Sequence, residues 1–138
     1  MQVLSFPAVT AATAGALAVL HVALMINVGL GRVKFKTGLG DGGNEALNRR
    51  IRMHGNLTEN APLFLILLGL VELSGIWPPL VMVLGPLVVV LRLCHAYGLS
   101  TTFGPGPNVF RAIGAGGTMV AIVVLAVACL TAAVPHFR

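Results

Sequence analysis

Charge is scarce in this chain: only 9% of its 138 residues are Asp, Glu, Lys or Arg, and only four of them are acidic. With 57% hydrophobic residues and a mean hydropathy of +0.93, an ordinary soluble domain is excluded. No Lys or Arg precedes Arg32, so a cleavable leader with a basic start is not expected, and the first apolar run is longer than the core of such a leader. No apolar segment alternates with a period of two, which excludes a membrane β-barrel. Cysteine is limited to Cys94 and Cys129, both inside apolar stretches and without metal-type spacing. They read as small buried hydrophobes, with neither a disulfide nor a metal site expected.

What is present is four apolar stretches, at 9–30, 61–73, 80–91 and 112–134. The first and last are long enough to cross a bilayer as helices, and the middle two reach that length with their neighbours. The expectation is all-α: one integral membrane four-helix domain over 1–138, with helices near 8–31, 45–74, 79–99 and 108–133. Helix two is expected to begin at Asn44 or Glu45, since an acid suits a helix N-terminus, and to kink at Pro62. Trp77 stands where an interfacial anchor would. The run 100–107 is a helix breaker, and Asn108 is a candidate cap for helix four. Gly114, Ala115, Gly116, Gly117 and Thr118 form a small-residue patch of the kind that lets helices approach closely in lipid.

The net charge of +5 does not point to nucleic acid, because of where the charge lies. Arg32, Lys34, Lys36, Arg49, Arg50 and Arg52 gather around the link between helices one and two. By the positive-inside rule, loop 32–44 is cytoplasmic and both termini lie outside. The link at 74–79 has no Lys or Arg, as an outer loop should. The link at 100–108 also has none, so its placement follows from helix parity, and Arg138 runs mildly against the pattern. The Gly38–Gly43 turn lacks a Gly-Lys-Ser/Thr ending and a preceding strand, so it is not a phosphate loop.

Ionisable residues inside a span are expensive and mark function by default. Arg52, Asn56 and Glu59 fall at i, i+4 and i+7, on one face of helix two. His54 lies about 200° from Arg52, on another face. Helix three adds Arg92 and His95, helix four adds Arg111 in its first turn, and helix one ends at Arg32. Four arginines therefore converge toward the cytoplasmic half, with Glu59 as the candidate buried acid. Such a set suits a small ligand carrying carboxylates and an ammonium group. A thiol beside the arginines would be shifted toward thiolate. Glutathione fits, as one candidate among amino-acid-like anions. The competing reading is hydrogen-bonded glue between helices.

Arg52-x-His54-x-Asn56-x-x-Glu59, followed by Asn60-x-Pro62 and an apolar run, resembles the helix-two signature of the MAPEG family, the membrane-associated proteins in eicosanoid and glutathione metabolism. Arg32, Arg92-x-x-His95 and Arg111 extend the resemblance along nearly the whole chain, and the short glycine-rich connector looks more like the bacterial branch. The resemblance implies a four-span protomer in a bacterial inner membrane, assembled as a homotrimer with glutathione between subunits. It implies that Arg32, Arg52, Asn56, Glu59, Arg92 and His95 bind glutathione and that Arg111 holds its thiolate. The reaction would be conjugation of glutathione to a lipophilic electrophile, or reduction of a lipid hydroperoxide. Two positions depart from the eicosanoid members: Gly55, where another arginine is expected, and Leu99, one turn after His95, where a tyrosine is expected. The alternative is a non-catalytic binder of glutathione or lipid with the same fold. A small multidrug-type exporter is disfavoured, since its essential acid would lie in helix one, which has no Asp or Glu.

Overall fold

In a computed structural model of the chain, described over residues 6–101 and 108–137, the apolar stretches form four long helices. They are α1 (Ala8–Lys34), α2 (Glu45–Ser74), α3 (Pro78–Thr101) and α4 (Val109–Ala133), followed by a short 3-10 turn at Val134–Phe137. All four are long and apolar enough to cross a membrane. At 1.5 Å per residue, α1 to α4 run about 36 to 45 Å. The protein is an integral membrane four-helix bundle. The segment 102–107, read from sequence as a breaker, and Arg138 lie outside the described residues.

Local chemistry sets the helix ends. Asn44 accepts from Leu47 N–H at 3.0 Å to start α2. Asn108 does the same for Arg111 N–H, at 3.0 Å, to start α4. Gly75, at φ 65°, ends α2 in the left-handed region that favours glycine. α1 runs three residues past its expected end at 31. Phe35 N–H still reaches Gly31 O at 2.9 Å. The Arg32 guanidinium donates to Gly38 O at 3.2 Å and Gly40 O at 2.9 Å, folding the glycine-rich link back onto the helix end. α2 passes through Pro62, and α3 through Pro86, without a break in either helix.

Phe64, Leu68, Val71 and Leu125 are fully enclosed at the centre of the bundle. Ile66, Met82, Met119 and Leu130 face outward, as they can where the solvent is lipid. Hydrophobic burial therefore does less here than close packing does. The small-residue patch supplies that packing on one side only. A Cβ added to Gly114 would lie 2.6 Å from His95 Cβ and from Leu91 O, and one on Gly117 would lie 2.6 Å from Leu91 Cδ2. Gly116 has open space around it. So α4 meets the α3 backbone at Gly114 and the Leu91 side chain at Gly117. At the nearer helix end, Gly98 lies against the Arg111 backbone.

Candidate functional site

The polar residues gather at the end of the bundle where α1 and α3 finish and α2 and α4 begin. Counting from Glu45, Arg52 lies about 10 Å and Glu59 about 21 Å along α2, so Glu59 stands near mid-helix. The predicted stripe is real, and its outer edge is uncovered. Arg52 and Glu59 are exposed on the protomer surface, while Asn56 between them is half-buried. Glu59 was expected to be a buried acid. It is open because no other helix of its own chain packs over that face, and its carboxylate has no hydrogen-bond or ion-pair partner among the described residues.

Arg92 is the opposite case, only 3% exposed. Its Nη1 donates to Asn56 Oδ1 at 2.7 Å. Its Nη2 donates to Gly114 O and Thr118 Oγ1, each at 2.5 Å. One α3 side chain thus ties α2 to α4. Its Nε–H is buried without a partner, and no carboxylate faces the guanidinium among the described residues. A buried cation so placed carries a desolvation penalty that only its hydrogen bonds offset.

His95 is buried, with its backbone against Gly114. Arg92, Arg111 and Arg52 all lie within electrostatic reach of it. Arg111 is exposed, in the first turn of α4, with its backbone held by Asn108 and its side chain free of hydrogen bonds among the described residues. The structure therefore groups Arg52, Asn56, Arg92, His95 and Arg111. Arg32 stands apart, since its Nη1 is occupied by the loop carbonyls.

His54 does lie off the stripe. It faces α1, where its ring meets His21 with centroids 4.6 Å apart, and its Nε2 is buried without a partner. Nearby, Arg50 Nη1 donates to Asn27 O at 3.0 Å, so one of the basic cluster residues holds two helices together.

Three functional or bracing residues were not legible as such in the sequence. Thr118 was read only as part of a small-residue patch. Arg50 was read only as a topology signal. Glu72 was passed over, yet its carboxylate accepts from Val9 N–H, Thr10 N–H and Thr10 Oγ1 at 2.9, 2.8 and 2.6 Å. It borders a shallow groove with Val9, Pro78, Val81 and Met82 at the opposite end of the bundle. A lone acid close to a helix end was the available signal.

Chemically, the grouped face offers two exposed guanidiniums, an accessible amide and an unpaired carboxylate. It can hold a ligand with carboxylates at one part and an ammonium at another.

A family model described as "MAPEG family" matches residues 10–131. Among curated proteins, the chain is similar to the inner membrane protein YecN of Escherichia coli strain K12. The two are 34% identical over 67 residues, covering 49% of this chain and 51% of that protein. The YecN protein of Escherichia coli O6:H1 (strain CFT073) matches to the same extent. The chain thus spans about half the length of these curated relatives. No solved structure matches.

Proposed function

We propose a function from one premise: the chain belongs to the MAPEG family. The protein is a glutathione-dependent membrane enzyme that joins glutathione to a lipophilic electrophile or uses it to reduce a lipid hydroperoxide. The observation that carries this reading is Glu59, an exposed carboxylate with no partner among the described residues, near the middle of a membrane-spanning helix, one turn from Asn56 and two from Arg52. An ionisable group left open on a membrane-spanning helix is expensive and marks function by default. A second subunit of a homotrimer, with a zwitterionic ligand between the subunits, covers it and matches its chemistry.

Glu59 takes the ligand's ammonium group. Arg52, Asn56 and His95 take its carboxylate and carbonyl oxygens. Arg32 contributes through the Nη2 and Nε donors not used on its loop. Glutathione supplies the nucleophilic sulfur when bound. Arg111, whose guanidinium at the start of α4 makes no hydrogen bond among the described residues, stabilises negative charge on that sulfur, while the acceptor approaches from the lipid side. Loop 32–44 lies in the cytoplasm of a bacterial inner membrane, which puts the site within reach of soluble glutathione.

One observation favours a second reading, a non-catalytic glutathione or lipid binder. Leu99, one turn past His95, is only 7% exposed and offers no hydroxyl to a sulfur. Conjugation of glutathione to a generic aryl halide by the purified protein separates the two. Turnover supports the enzyme. Glutathione binding without conjugation of aryl halides or reduction of lipid hydroperoxides leaves the binder.

A further inference from the structure

We infer that Arg92 is a positioning residue that fixes the polarity of Asn56, so that Asn56 meets the ligand as a hydrogen-bond donor. The inference rests on the glutathione reading above and assigns Arg92 a role inside the protomer, where the family resemblance alone would place it on the ligand.

Three observations carry it. The first is that Arg92 has little left to offer a ligand. It is 3% exposed, and three of its five N–H donors are in use: one Nη1–H on Asn56, and both Nη2–H on Gly114 O and Thr118 Oγ1. Of the two donors left, the Nε–H is itself sealed from solvent, and the second Nη1–H belongs to the same enclosed side chain. The second is the chemistry of the Arg92–Asn56 contact. A guanidinium has only donors, so the amide atom facing it at 2.7 Å must be the oxygen. That removes the freedom an Asn normally has to flip its amide.

The third is what remains of Asn56. With Oδ1 turned toward Arg92, the Nδ2 group is the end left for anything else, and it has no partner among the described residues. The residue is half-buried, between the exposed Arg52 and Glu59, so that donor is accessible from the ligand face. The backbone beneath is held as well, since Asn60 Nδ2 donates to Asn56 O at 2.8 Å. The site thus presents donors at Asn56 and Arg52 and an acceptor at Glu59. A ligand with an ammonium at Glu59 and oxygen acceptors about one turn away, at Asn56, and two turns away, at Arg52, is selected. An amine placed opposite Asn56 is rejected.

Asn56→Asp tests this in the full-length protein, because it separates the two roles of the side chain. An aspartate keeps an oxygen on Arg92 and gives the buried guanidinium a counter-charge, so thermal stability in detergent should be equal or higher. It also replaces the ligand-facing donor by an acceptor, so glutathione affinity by calorimetry should fall about tenfold or more. Arg92→Lys is the second variant. A single ammonium cannot hold Asn56 and Thr118 in the same fork geometry, so glutathione should bind more weakly although the charge is kept. Aspartate at 56 binding glutathione as tightly as the wild type would overturn the inference alone. Failure of the wild type to bind glutathione would overturn the glutathione reading itself, and the inference with it. Should Asn56→Asp not assemble, unchanged glutathione affinity in Arg92→Lys is the overturning result.

Discussion

Glu72 caps Thr10 across the bundle: both the backbone N–H and the hydroxyl of Thr10 donate to Glu72 Oε2, at 2.8 and 2.6 Å. An α2 side chain therefore satisfies the open first turn of α1, which has no side-chain cap of its own. Its other oxygen takes Val9 N–H at 2.9 Å. The contact joins two helices at the end of the bundle away from the proposed site, and so bears on stability rather than chemistry.

Glu72→Ala should therefore destabilise the protein by about 1–3 kcal/mol, the cost of orphaning charge-assisted donors, while leaving glutathione affinity unchanged. Unfolding in detergent, followed by circular dichroism, measures the first. Glu72→Gln should fall between, because its amide nitrogen cannot accept from Thr10. A Glu72→Ala variant as stable as the wild type would mean that water or lipid head groups cap α1 equally well.

Close packing of α3 on α4 yields a paired prediction. Gly114→Ala places a methyl group 2.6 Å from His95 N and Leu91 O, atoms that cannot move without shifting a helix. A loss of about 1–3 kcal/mol is expected, with weaker glutathione binding because His95 and the Arg92 clamp share that contact. Gly116→Ala, with nothing within 4 Å, should change stability by about 0.5 kcal/mol or less. Equal melting of the two variants would rule out this face of α4 as the tight contact.

Arg111 is exposed and its side chain makes no hydrogen bond among the described residues, so Arg111→Ala should fold and melt as the wild type does. If its guanidinium stabilises the sulfur anion, the conjugation rate should fall about a hundredfold or more. Stopped-flow absorbance of the aryl-halide product gives that rate. An unchanged rate would remove the thiolate role from Arg111.

Number, order and approximate ends of the helices were legible because lipid imposes them. Each span must be apolar and must satisfy its own backbone. Asn108 was legible as a cap for the same local reason, whereas Asn44 was read only as a possible start of helix two. The stripe Arg52–Asn56–Glu59 was legible too, because helical periodicity is a local property. What periodicity could not assign was the partner of each polar group. That Arg92 turns inward onto Asn56 and Thr118, while Arg52 stays outside, depends on how α2, α3 and α4 pack. Glu72 and Arg50 were missed for the same reason, as their partners lie 62 and 23 residues away in sequence.

Glu59 decides between ligand recognition and helix glue. Its carboxylate has no partner among the described residues of its own protomer, so Glu59→Gln should leave the fold of each chain intact. Under the ligand reading, the variant still assembles as the wild type does, and glutathione binds about ten- to a hundredfold more weakly. That is the loss expected when a charge-assisted contact to an ammonium becomes a neutral one. Under the glue reading, the carboxylate meets a donor from a neighbouring subunit. The variant then dissociates in detergent, and whatever remains assembled binds glutathione normally. Native mass spectrometry reads the assembly state and calorimetry reads the affinity. A variant that assembles and binds as the wild type does would sink both readings and return Glu59 to an acid merely tolerated in the membrane.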